Sequence, residues 1–320
     1  FKAGTGTKMT RGTRLVVAAL LALSACTQVP GVDMSPRPVI RDPSVLSAPE
    51  PSAESQSFAR YYSGVQSRLL AQGLLRTDGG GPDTPVTQRI LVENFERIAL
   101  FDEYTLRNGR FVAQETPSRL RRWADPVRVQ PSFGASVDAE TRTTDIAILD
   151  AYSQRLARVS RHPIRQVSSG GNFHVLYLNR DEQRGAGPLL RQLLPDIGEA
   201  TIRAITSLPR FTFCSVFSFS SPVEPSTYVA AIAIIRTEHP DLLRRSCIHE
   251  EVAQGLGLPN DSAFARPSIF NDDEEFALLT THDELLLRML YDPRLSPGMQ
   301  PDQARPILRV IAQGLVAGPG

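Results

Sequence analysis

Apolar positions along this chain change their period several times. Over residues 140–159, Ile146, Leu149, Leu156 and Val159 recur at helical spacing. Residues 126–130 (PVRVQ) alternate as a strand does, and 174–178 (HVLYL) form a short apolar run of the same type. Residues 189–208 read as helix with a break at Pro195. Residues 211–219 and 228–235 read as two strands joined by a Pro-rich turn. A helix follows over 241–256, with Pro240 before it and Gly257 where the chain must turn. Strands alternating with helices predict an α/β fold, a mixed sheet with helices packed on it.

The ends are different. Residues 26–56 are rich in Pro and Ser with little apolar periodicity, which predicts a disordered tether. A helix is expected over 57–75, ending in the flexible stretch Thr77-Asp78-Gly79-Gly80-Gly81-Pro82. Residues 86–115 suggest a small β-rich subdomain, with strands near 97–100 and 110–114. The expected division is thus a leader over 1–25, the tether over 26–56, a small α+β subdomain over 57–118, the main domain over 119–300, and a tail with a short helix over 301–320. No internal repeat is visible.

Charge changes the picture only at the N-terminus. The 320 residues carry 35 Lys+Arg and 34 Asp+Glu, a formal net charge of +1. That balance gives no global electrostatic case for nucleic-acid binding. Residues 1–25 hold Lys2, Lys8, Arg11 and Arg14 and no acid; without them 31 basic side chains face 34 acidic ones, a net −3. Met9 is a better start than Phe1. After it come Arg11, Arg14, the apolar run 15–23, and Leu23-Ser24-Ala25-Cys26. A basic segment, a short apolar segment and small residues at the cut describe an export signal. The chain has no run of about 18 apolar residues, so no membrane-spanning helix is expected. Leu-Ser-Ala-Cys also resembles the lipobox of bacterial lipoproteins, whose Cys becomes the acylated first residue; an ordinary signal with an incidental Cys is the alternative. The lipoprotein reading implies a periplasmic chain held to the membrane only by its lipid. Thr27, where Asp is not found, implies the inner leaflet of the outer membrane.

The three cysteines are Cys26, Cys214 and Cys247. If Cys26 takes lipid, an even pair remains in an oxidising compartment, and a Cys214–Cys247 disulfide is expected, with two buried thiols as the alternative.

Candidate chemistry concentrates in Cys247-Ile-His-Glu-Glu-Val-Ala-Gln-Gly-Leu-Gly-Leu-Pro-Asn-Asp261. A zinc-peptidase helix needs two ligands one turn apart around a basic Glu. Starting from His249, the second ligand falls on Ala253, so that register fails. One residue later, Glu250 through Asp261 resembles the metzincin zinc-peptidase signature His-Glu-x-x-His-x-x-Gly-x-x-His-Asp. It is also similar to an uncharacterised proteobacterial envelope-protein family with a Glu-Glu-x-x-Gln-x-Leu-Gly-Leu-x-Asn-Asp core. The resemblance puts Glu251 on the general base and Gly257 on the glycine that reverses the chain. Leu256, Leu258 and Asp261 also match. Glu250, Gln254 and Asn260 occupy the three zinc-binding histidine positions. Phe270, in Pro267-Ser268-Ile269-Phe270-Asn271, stands where a metzincin has the Met of its turn under the metal. The implied fold is a metzincin-like twisted mixed sheet with a long site helix, preceded by the small β-rich subdomain. In such a sheet Cys214 would lie in the edge strand beside the cleft, and the disulfide would clamp that edge to the site helix. The edge could take an extended peptide by strand addition.

Neutral imidazole suits zinc, whereas carboxylate and amide oxygens suit harder ions. No zinc site is expected from Glu250, Gln254 and Asn260; an oxygen-ligated divalent metal stays open, and the run Asp272-Asp273-Glu274-Glu275 is near in sequence. At about 100° per residue, Ile248, Val252 and Leu256 form the core-facing stripe, while Cys247, Glu250, Glu251 and Gln254 share one polar face. That face either lines a cleft or is solvated. His249 lies away from it and reads as a hydrogen-bonded structural histidine rather than a ligand, although it borders the candidate cleft. His162, His174, His239 and His282 show no ligand spacing, and Thr281 with Glu284 reads as a capping box. Three functions follow: a non-catalytic module binding an extended peptide or envelope protein in a degenerate peptidase cleft, an active hydrolase using Glu251 on an atypical oxygen-ligated metal, or a structural envelope protein.

Overall fold

The computed structural model describes residues 50–107 and 110–316. The expected leader, Cys26 and most of the expected tether lie outside the described residues. The first element is α1 (Ala53–Ala71), where Ser52 caps the helix by accepting from the Ser55 N–H. It starts four residues before the expected helix, so the last expected tether residues belong to it.

Next come α2 (Gln88–Ala99), β1 (Phe101–Arg107) and β2 (Arg110–Pro117). The strand expected near 97–100 is instead the last turn of α2. Leu91, Phe95 and Ile98 lie on one helical face and are fully buried, and Thr87 caps the start by accepting from the Ile90 N–H. The strands β1 and β2 form their own antiparallel pair. The buried face of α2 belongs to the same core as the main sheet.

The main sheet uses β3 (Arg122–Trp123), β4 (Val127–Phe133), β5 (Ile164–Gln166), β6 (Phe173–Leu178), β7 (Ser215–Ser220) and β8 (Thr227–Arg236). Its order is β3-β8-β6-β4-β5, with β7 also on β8. Every pairing is parallel except β7 with β8. The expectation of a mixed α/β sheet covered by helices is met. All six residues of β6 are buried, as a central parallel strand with both faces covered requires. On one face, Phe173, Val175, Tyr177, Ala231, Ala233 and Ile235 join α3 (Ala139–Ser160) and α7 (Asp241–Gln254) in the main core. On the other, Leu176, Leu178, Ile232 and Ile234 pack against α5 (Gly187–Leu193) and α6 (Glu199–Thr206), which follow the short α4 (Arg180–Arg184). The break at Pro195 falls between α5 and α6.

Two local expectations move. Within α3, Leu149 and Leu156 are buried but Ile146 is exposed, because the neighbouring Asp145 turns inward to pair with Arg244 at 3.0 Å. The box that opens α8 (Thr281–Leu290) is Thr280 with Asp283, one residue before Thr281 with Glu284. Asp283 is fully buried and also accepts from Ser268 Oγ at 2.5 Å and the Ile269 N–H at 3.1 Å, which fixes the choice. The C-terminal α9 (Pro301–Val316) packs on α2. No described helix is long and apolar enough to cross a membrane.

Candidate functional site

The helix α7 starts after Pro240 and sends Ile248 and Val252 into the core, with Leu256 in the turn beyond it. Its polar face is not solvated: Cys247, Glu251 and Gln254 are all buried, at 2%, 3% and 9% exposure, and Glu250 is half-buried. Cys214, immediately before β7, forms the disulfide with Cys247, at a Cα–Cα distance of 5.8 Å. The expected pairing is present, and it ties the approach to β7 to the middle of α7.

Three contacts shape the end of the helix. Gly255 packs on the Phe173 ring, where a Cβ would come within 2.5 Å. Its carbonyl accepts from Trp123 Nε1 at 2.8 Å. Gly257 adopts φ +129°, a backbone conformation that a side chain would strain, and the chain reverses there. The Leu258 N–H still bonds the Gln254 carbonyl at 3.1 Å, and by Asn260 the chain has reached α2, with the Asn260 N–H on the Ile98 carbonyl at 3.1 Å.

The reversal brings Asp261 back to the helix, where Gln254 Nε2 donates to its Oδ1 at 3.0 Å. Asn260 does something else: its Nδ2 donates to the Arg97 carbonyl at 2.8 Å and so clasps the C-terminus of α2. The carboxylate oxygens of Glu250 and Glu251 and the Cys214 sulfur lie within 4.8 Å of one another. Burial, then Glu251, Asp261, Glu274 and Asp272, push the Glu250 carboxyl well above its usual range. Burial with Asp272 and Asp273 raises Glu274 to about 7. This corner of the molecule is therefore an acidic cluster in which some carboxyls hold protons.

His249 is on the other side of α7. Its Nδ1 accepts from the Leu279 N–H at 3.1 Å, its ring stacks on Tyr152 at 4.0 Å, and the Tyr152 hydroxyl donates to its carbonyl at 2.6 Å. Burial, with Arg245 and Arg155 nearby, lowers its pKa to about 3. It is a neutral structural histidine. Phe270 is fully buried in the main core, in the loop that Asp283 holds through Ser268 and Ile269.

Glu250, Gln254 and Asn260 do not fit zinc. One amide nitrogen is committed to Asp261 and the other to Arg97, and the remaining donors are oxygens that suit harder ions. Nor does Cys214 offer a thiolate while it is bonded to Cys247.

Two neighbours escaped the spacing argument. His239, set aside because no partner stood one helical turn away, has Nδ1 at 3.6 Å from Cys247 Sγ. It precedes α7, so helical spacing could not find it. Phe264, 71% exposed, lies beneath the Arg97 guanidinium at 4.7 Å. No curated protein and no solved structure matches this chain. A family described as a protein of unknown function, DUF2927, matches residues 88–310, which include the whole sheet, α7 and its glycine reversal, and the chain belongs to that family.

Proposed function

We propose that the chain is a lipid-anchored envelope protein whose degenerate metallopeptidase-like cleft binds an extended peptide without cleaving it. The observation that carries this reading is the placement of β7. Among the described strands it pairs only with β8, it is half-buried along its length, and the Cys214–Cys247 bond holds its start against the acidic face of α7. The outer strand of a sheet is the place where an extended peptide can join by strand addition. Among the described strands it is also the single antiparallel one of the main sheet, at the border where the metzincin resemblance puts the substrate edge. A Lys or Arg beside the paired segment would favour ionisation of the crowded carboxyls of Glu250, Glu251, Asp261 and Glu274, which makes a basic peptide the better ligand. Anchoring rests on Leu23-Ser24-Ala25-Cys26.

The test is amide hydrogen exchange of the purified chain with a panel of extended peptides, basic and acidic. Binding of basic peptides should slow exchange in residues 215–220, and the Glu250→Gln, Glu251→Gln pair should weaken it. Protection that appears only elsewhere, or binding indifferent to peptide charge, removes the reading.

A hydrolase reading has one observation in its favour. The Glu250 and Glu251 carboxylates are neighbours, and Glu250 is held well above the usual carboxyl range, so a protonated acid can stand beside an ionised one. Such a pair suits general acid–base work. Peptide turnover that disappears in Glu251→Gln while binding persists selects this reading; turnover that persists removes Glu251 as base.

A further inference from the structure

The strand order of the main sheet reverses between β4 and β6. The two are parallel neighbours, yet the chain leaves them in opposite directions: from β4 it runs through α3 to β5, and from β6 through α5 and α6 towards β8. The helix α3 packs on one face of the sheet, and α5 and α6 pack on the other. In an open α/β sheet, the crevice beyond the carboxyl ends of such a strand pair is where ligands bind. Here that place holds a cavity of about 100 Å³, lined by Ser136 and Asp138 after β4, Thr141 and Asp145 of α3, Thr237 after β8 and Arg244 of α7. A single buried water needs about 10–15 Å³, so the cavity has room for a small molecule.

Its wall carries a buried ion pair with capacity left over. Asp145 and Arg244 are 1% and 8% exposed and meet at 3.0 Å. Burial raises the Asp145 carboxyl in spite of Arg244, so this carboxylate gains from a further cation. Asp138, which accepts from the Thr141 N–H and hydroxyl, is held ionised and adds a second negative charge. A guanidinium has five N–H donors. Arg244 directs one each at Asp145, the His239 carbonyl and Asp241, and the rest have no partner among the described residues. The Thr237 hydroxyl meets only Ser136 Oγ among the described residues, at 3.4 Å. The Tyr177 hydroxyl, on the α3 and α7 face of β6, is fully buried with no hydrogen-bond partner among the described residues. Burial, then the Asp145 charge, keeps its proton on, so it is one more unused donor. A second depression, of about 370 Å³, shares Thr141 and Arg244 with the first and is also lined by Ile148 and Leu242.

We propose that this crevice binds a free α-amino acid, with its ammonium on the Asp145 and Asp138 carboxylates, its carboxylate on Arg244 and the Thr237 hydroxyl, and an aliphatic side chain between Ile148 and Leu242. The mixture of charges selects this class. A simple anion would face two carboxylates, and a simple amine would leave the Arg244 donors unused. A zwitterion answers both and brings no net charge into a buried site. The crevice shares no residue with the cleft beside β7, and the inference is independent of what that cleft binds.

The experiment is a titration of the full chain with L-leucine, followed by calorimetry and by amide chemical shifts. Leucinamide, which lacks the carboxylate, and N-acetylleucine, which lacks the ammonium, are the comparison ligands. Leucine should bind once per chain and shift the amides of residues 136–145 and 237–245. Each derivative should bind at least about 10-fold more weakly, since each leaves a buried charge without its partner. Thr237→Val, which keeps the shape and removes the hydroxyl, should fold as the unsubstituted chain does and bind leucine several-fold more weakly. No binding at millimolar leucine, equal binding of either derivative, shifts confined to residues outside the crevice, or undiminished binding by folded Thr237→Val would overturn the proposal.

Discussion

Gly257 packs against the backbone carbonyl of Arg121 so closely that no Cβ fits between them, and its φ is +129°. The glycine therefore does two things at once. It lets the chain reverse after α7, and it lets the reversed chain lie on the segment that leads into β3. Without the reversal Asp261 would not meet Gln254, and Asn260 would not reach α2.

Gly257→Ala should accordingly destabilise the fold by at least about 2 kcal/mol, from backbone strain plus the clash. Urea denaturation measures it. Gly314, which lies in α9 with open space around its Cβ position, is the control: Gly314→Ala should be neutral or slightly stabilising. Equal midpoints for the two variants would mean that the reversal tolerates a side chain.

His249 gives a pH dependence with a definite sign. Its folded pKa of about 3 lies below the ordinary 6.5, so the unfolded chain binds the proton more readily. The contribution of the neutral ring is complete above pH 6.5 and is lost as pH falls from there towards 3. Within that window the slope approaches about 1.4 kcal/mol per pH unit. His249→Asn keeps an acceptor for the Leu279 N–H and removes the titration. Between pH 6.5 and 5 the unsubstituted chain should lose about 1–2 kcal/mol more stability than this variant. Parallel stability curves would show that His249 is not held neutral.

Glu274 acts in the opposite direction. Its pKa of about 7 lies above the ordinary 4.5, because burial beside Asp272 and Asp273 disfavours the ionised form. The protonated side chain is compatible with the fold below pH 4.5, and that compatibility is lost as pH rises through 7. Glu274→Gln should thus stabilise the chain at pH 8 by about 1 kcal/mol, allowing for partial exposure, and do little at pH 4. A gain of the same size at both pH values would show that the charge of Glu274 is not its cause.

These residues also mark how far the sequence could be read. The helix α7 was legible because Ile248, Val252 and Leu256 make an apolar stripe that ends at a glycine, and such local periodicity survives folding. The disulfide was legible from the parity of three cysteines. The α2 helix was not: residues 97–100 look like a strand start when read alone, and only Leu91, Phe95 and Ile98 together show the helical face. The capping box slipped by one residue because Thr280 with Asp283 and Thr281 with Glu284 satisfy the same pattern, and the burial of Asp283 decides between them. In the site, the reversal at Gly257 could be seen in the sequence, but the target of the Asn260 amide could not. That target is the carbonyl of Arg97, 163 residues away, and no spacing rule reaches so far.

The Asn260 clasp can be separated from a ligand role by one substitution. Asn260 is 3% exposed and donates from Nδ2 to the Arg97 carbonyl. Asp at this position keeps the shape and loses the donor, so a carboxylate would face a carbonyl oxygen with no proton between them. Leaving a buried acceptor pair unsatisfied costs about 1–3 kcal/mol, and more when one member is charged. Asn260→Asp should therefore destabilise the chain by about 2–4 kcal/mol at pH 8, and part of the loss should be recovered near pH 4, where the new carboxyl holds a proton that it can donate to Arg97. A cation-binding position predicts the reverse, since a carboxylate is the better ligand: Asn260→Asp would then gain stability on addition of millimolar calcium. Thermal melts of the variant at both pH values, with calcium and with chelator, distinguish the clasp from the ligand.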